Sequence, residues 1–303
     1  MSNLESANKG FIARHAKIVV VIAVICGATS GSLSAMTAIS SLGIGFWRLT
    51  IALPFFIIPT LMNPEKKAKL LSVSKSDLLW CALAGIFLFG HFYSWFSAVK
   101  LTNVASAAVL ASLHPLVVLL VTVFILKKKV SWKSVAAIIV ELCVGAIIMG
   151  FDLDALTSGH MMGNIFGFLA GMFMGLYFSV GDHVRKRVDG GIYVLLVFSA
   201  CWVCFVAGVC ATGTPVLGFT FTDYLYVALM AVICQIGTHA VLNMCIGHVS
   251  SLYVSTIESG DPVFSILVAI VCLRQIPAGY EILGCAIVVG ALLYYNYQES
   301  KES

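Results

Sequence analysis

The chain has 303 residues, 60% of them hydrophobic and only 11% charged, with a net charge of +4 and a mean hydropathy of +1.01. Soluble domains are nearer half apolar and a quarter charged, so a water-soluble enzyme or a nucleic-acid-binding module is excluded. The excess falls in long apolar runs such as 18–29, 78–90, 104–126 and 263–273, which identifies a polytopic membrane protein.

A hydrocarbon core of about 30 Å takes about 20 apolar residues per helix. The pattern predicts ten spans: 17–38, 44–62, 77–98, 104–126, 132–150, 161–182, 191–211, 223–246, 250–273 and 279–297. The expected fold class is therefore an all-α integral membrane protein with ten transmembrane helices and short connections. Span one is too long, and too poor in cleavage signals, for a removed signal peptide, and is expected to be retained. Span two carries Arg48 near its outer end, where it serves as a gate or snorkels to the interface. The connection 63–76 has no globular content.

Span three presents His91 and Trp95 at i, i+4 spacing, with Phe92, Tyr93 and Phe96 around them. An aromatic lining suits a ring or a cation, although aromatic residues also crowd membrane interfaces. Span four holds His114-Pro115 inside an apolar run, and span five holds Glu141, for which a dimer contact, a snorkelling position or a structural hydrogen bond is a stronger reading than a site role. Span six has Gly163, Gly167, Gly171 and Gly175 as an every-fourth ridge that permits close helix approach. The pair Cys201-x-x-Cys204 in span seven has redox spacing, but lies in an apolar helix without acidic or histidine partners. All ten cysteines fall within or at the edges of spans, which favours packing.

Span eight offers Gln235, His239 and Asn243 at i, i+4, i+8 spacing, expected on one face. They serve either as interhelical hydrogen-bond glue or, for His239 and Asn243, as contacts to a solute. In span nine Ser251, Ser255, Glu258, Pro262 and Ser265 follow the +4, +3 rhythm of one helical stripe, with Asp261 beside it. An ionisable group at that depth costs roughly 2.5–3.5 kcal/mol on insertion scales and usually faces a cavity or a partner.

Fifteen of the eighteen basic residues fall on one side of the predicted topology, among them Arg14, Lys17, Lys66, Lys127 and Arg185. This bias predicts both termini in the cytoplasm, in a cytoplasmic (inner) membrane.

Superposing Pro115 on Pro262 brings residues 95–126 into step with 242–273 in hydropathy and small-residue positions. The spans that follow both end in Val-Gly-Ala (144–146 and 289–291), and Gly27–Gly31 matches Gly171–Gly175. Two copies of a five-span unit, 17–150 and 161–297, are expected. Five is odd, so the second copy enters from the opposite side. Inverted repeats of this kind are an architecture of secondary transporters, with the solute near the midplane between the copies.

Phe46-Trp47-Arg48, Trp95-x-x-Ala98 leading to Ala105–Ala108, the glycine-rich span one and the proline-centred spans four and nine occur here in a specific order. The chain thereby resembles the EamA-domain branch of the drug/metabolite transporter superfamily over almost its whole length. Where family members commonly end spans four and nine in a glycine-glutamate pair, this chain has Leu126-Lys127 and Leu273-Arg274. The family's acidic residue before the second proline is Asp261. The resemblance implies ten helices in two inverted halves and transport of small organic solutes without ATP.

The function expected is secondary active transport of a small polar or amphipathic metabolite by alternating access, with an amino acid or derivative favoured on the resemblance. The substrate and translocation residues expected are His91, Trp95, His114, His239, Asn243, Ser255, Glu258 and Asp261, with hinges at Pro115 and Pro262. His114 is expected to pair with Glu258 or Asp261, either as a proton-coupling site or as a fixed ion pair between the halves. Beyond the bilayer, the partners expected are the solute, a proton or counter-solute and a second copy in a homodimer. No catalytic group, metal or cofactor is expected. The competing readings are an intramembrane transferase using His91, Asp182-His183 or Glu258, and a passive channel or receptor subunit.

Overall fold

The computed structural model describes residues 2–125, 160–246, 248–258 and 260–287, with scattered positions between 127 and 143 and at 290; for 2–13, 251 and 252 only the backbone is described. All regular structure among them is helical. Eight helices are long and apolar enough to cross a membrane: α1 (Arg14–Met36), α2 (Ser41–Met62), α3 (Lys75–Leu101), α4 (Val104–Ile125), α5 (His160–Val184), α6 (Gly190–Thr212), α7 (Phe221–Cys245) and α8 (Tyr253–Leu273). Their limits lie within a few residues of those read from hydropathy. The predicted span 132–150, with Glu141, lies largely outside the described residues. Of 279–297, helix is described over 279–287.

The ends of the helices carry the side-chain caps that orphan backbone donors require. Asn103 accepts from the Ser106 amide at 2.7 Å at the start of α4, and Ser74 accepts from the Asp77 amide at 3.0 Å at the start of α3. Thr220 and Asp223 form a reciprocal capping box on α7. The connection after α2 contains a short helix, Pro64–Leu71, capped by Asn63.

The glycine ridge of α5 fixes the packing around the site. A methyl group on Gly171 would lie 2.7 Å from the Ala111 carbonyl oxygen, and one on Gly175 would lie 2.6 Å from that of His114. Only hydrogen fits there, so α5 seats directly against the backbone of α4. The same helix lies along α3, and α6 packs on α3 and α2.

Both proline-centred helices are broken where the sequence places proline. Proline lacks an N–H and clashes with the preceding turn. In α4, helix Val104–Ala111 stops and restarts at His114–Leu120, with Pro115 in the first turn of the second piece. In α8, helix Ser251–Glu258 stops and Asp261–Leu273 begins with Pro262. The first piece of each packs on the second piece of the other, so the two broken helices cross antiparallel with their breaks together.

Candidate functional site

The two breaks put ionisable groups at helix interruptions in the interior. His114 opens the second piece of α4 and is 4% exposed. Its Nδ1 is 2.7 Å from Ser255 Oγ, and its Nε2 is 3.7 Å from Glu258 Oε2. Of the two carboxylates expected to meet this histidine, Glu258 does so. Asp261, beyond the break, instead accepts from Ser265 Oγ at 2.7 Å, and Ser265 also reaches the Ala28 carbonyl at 3.1 Å. The serine stripe of α8 is thus split. Ser255 orients the histidine, and Ser265 ties the aspartate to α1.

These groups open onto a cavity lined by Gly27, Ser30, Arg48, His91, Phe92, Trp95, Ala108, Ala111, Ser112, His114, Met174, Thr238, His239, Glu258 and Asp261. The wall is apolar and aromatic with a few convergent polar groups, the usual make-up of a small-molecule site. His91 Nδ1 is 2.9 Å from the Ala170 carbonyl, and its ring meets that of His239 edge-on at 5.8 Å. Trp95 donates through Nε1 to Ser30 Oγ at 3.3 Å. Trp95 is 7% exposed and stands inside the bundle.

Arg48, expected either as a gate or as a residue snorkelling to the interface, is turned inward. It is 1% exposed and lines the cavity. Its guanidinium carbon lies 4.5 Å from the centre of the Phe92 ring and 5.7 Å from that of Phe96, and Nη1 donates to Ser30 Oγ at 3.3 Å. Packing of α2 against α6 and α7 turns this residue inward, and hydropathy carries no record of that contact.

The expected stripe on α7 also divides. Residues Met230–Ala240 are π-helical, and of Gln235, His239 and Asn243 the cavity wall takes only His239. His239 lines the cavity together with Thr238, which spacing did not single out. Gln235 is buried away from it, and Asn243 donates to the Tyr177 hydroxyl and to the His239 carbonyl. Asn243 and Ser255 therefore stand behind the wall and hold groups that form it. Besides Thr238, sequence reasoning missed Ser30 and Ser112; as small hydroxyl residues within otherwise apolar spans they give little signal. Pro115 and Pro262 sit at the two breaks, adjacent to His114 and Asp261.

The fold defines a multi-pass helical membrane protein with an internal cavity whose largely apolar wall carries a few ionisable groups. The EamA-like transporter family matches residues 15–151 and again residues 161–297, and the chain belongs to that family. It is accordingly a membrane transporter of the drug/metabolite type. The cavity takes wall residues from both matched regions. No curated protein matches the sequence. One solved structure, described only as "Crystal structure of protein", is similar at a TM-score of 0.69 and 19% identity, over 96% of this chain and 99% of that one. That likeness concerns the fold alone.

Proposed function

We propose that the chain is a secondary transporter that moves a small polar or amphipathic organic metabolite by alternating access. An amino acid or derivative is the first class to test, on family resemblance. The observation that carries this reading is the central cavity. It is lined from both matched regions, and the two broken helices bring His114, Glu258 and Asp261 into its wall. In this proposal ten helices form two inverted five-helix units, 17–150 and 161–297, and both termini are cytoplasmic in the inner membrane. The breaks at Pro115 and Pro262 are where each unit bends, since backbone is free to leave helical geometry where it lines a cavity. His91, Trp95 and His239 contact the solute, with Asn243 and Ser255 as supports. The His114–Glu258 contact and Asp261 carry either a coupled proton or the charge that changes partners during exchange.

The experiment is counterflow in proteoliposomes, with protein preloaded with one labelled metabolite at a time and its pH dependence followed. Saturable counterflow that is lost in Asp261→Asn supports the proposal. Formation of a chemical product without net solute movement favours the transferase reading and overturns it. Non-saturating flux without exchange indicates a channel.

A further inference from the structure

Arg48 is the one cavity-lining guanidinium among the described residues, and no acidic side chain there pairs with it. Its Nη1 is engaged by Ser30, whereas Nε and Nη2 are buried with no hydrogen-bond partner. Those two groups form one complete edge of the planar fork, the edge that takes both oxygens of a carboxylate. Phe92 and Phe96 steady the cation through their ring faces but supply no negative charge. A buried charge is ordinarily paired or turned towards a functional partner.

The same cavity has an opposite pole. Glu258 Oε2 is buried without a hydrogen-bond donor, and Asp261 lines the wall beside it. Both poles border α1: Ser30 touches Arg48, and a methyl group on Gly27 would lie 3.7 Å from Asp261 Oδ1. Phe92, Trp95 and Met174 line the same cavity.

We propose that Arg48 is the carboxylate anchor of the transported solute, a compact zwitterion whose ammonium group points towards Asp261 and Glu258. This assignment rests on the transporter reading for its biological meaning, but binding tests it separately. The fork geometry matters as well as the charge, so lysine is a poor replacement at this position.

The test uses full-length purified protein and matched probe sets: alanine, leucine and phenylalanine, their amides, and the corresponding des-amino acids propionate, 4-methylpentanoate and 3-phenylpropionate. Thermal stabilisation is measured over a concentration series. Expected is stabilisation by at least one free amino acid, at least tenfold weaker for its amide and for its des-amino acid. Arg48→Lys and Arg48→Met each weaken the amino acid at least tenfold. Ser30→Ala, which leaves the guanidinium in place, weakens it several-fold. If the Arg48 variants fail to fold, the wild-type acid-against-amide comparison and Ser30→Ala decide the matter alone. The assignment is overturned if the amide binds as well as the acid, if no free amino acid in the panel binds, or if Arg48→Met binds like wild type. Arg48-dependent binding without counterflow would remove the transporter reading and leave the anchor standing. Counterflow of an amide that is insensitive to Arg48→Met would do the reverse.

Discussion

Gly175→Ala places a single methyl group at the tightest point behind the site. The new carbon would lie 2.5 Å from Val117 Cβ and 2.6 Å from the His114 carbonyl oxygen. Comfortable carbon contacts begin at about 3.5 Å, so the second piece of α4 must retreat from α5 by about 1 Å. Neither neighbour can rotate away, because one is a backbone oxygen and the other a Cβ. Overpacking of this kind typically costs about 1–3 kcal/mol. Alanine returns up to about 1 kcal/mol over glycine inside a helix, which leaves a net loss on the order of 1 kcal/mol. The functional consequence is larger in proportion. The His114–Ser255 bond is 2.7 Å long, and a displacement of its helix by about 1 Å disturbs its length or its angle. The assay is reversible unfolding of the detergent-solubilised protein, with counterflow measured on the same preparation. Gly208→Ala is the control, since its nearest neighbour is the terminal methyl of Leu42 at 3.0 Å, which can rotate. It is expected to be as stable as wild type or more stable by up to about 1 kcal/mol, the helix-propensity gain without the overpacking. If Gly175→Ala matches that control in both stability and transport, the close packing of α5 on α4 is not what positions His114.

Glu258→Gln and Asp261→Asn are each expected to abolish or uncouple transport while leaving expression intact. Normal flux with unchanged pH dependence in both variants would refute the coupling site. Ser255→Ala leaves His114 Nδ1 without its partner, at a cost of about 1 kcal/mol for a buried hydrogen bond, and should shift the pH profile of counterflow; a fall in stability with an unmoved profile would show a purely structural serine. Pro262→Ala allows the two pieces of α8 to join, and should slow exchange more than it weakens solute binding, which separate equilibrium-binding and flux measurements will resolve. Asp77→Asn breaks the pair to Arg187, at 2.7 Å. Arg187 is 46% exposed and the Asp77 side chain 12%, so solvent screening at the arginine end should hold the loss to about 1 kcal/mol, and a markedly larger fall in melting would show that the pair is not screened.

Much of the fold was legible in the chain because the bilayer imposes one-dimensional rules. An apolar run of set length must be a helix, so the eight described spans lie close to their predicted limits. Proline removes a helix hydrogen bond, so Pro115 and Pro262 marked where breaks could fall, although α2 carries Pro59 inside a helix. Glu258 and Asp261 announced themselves because a carboxylate at mid-depth needs a reason to be there. Three features depended on packing instead. Arg48 stands at a depth from which a long side chain can either snorkel or turn inward, and only the seating of α2 against its neighbours decides which. Of Gln235, His239 and Asn243 on α7, only His239 lines the cavity, because the helices packed on α7 decide which part of its face stays open, and spacing along one helix does not record them. The choice of Glu258 over Asp261 as the neighbour of His114 is an ångström-scale outcome of two broken helices crossing. Hydropathy and steric exclusion act along the sequence and are written in it, whereas the direction of a side chain in a crossing belongs to both helices at once.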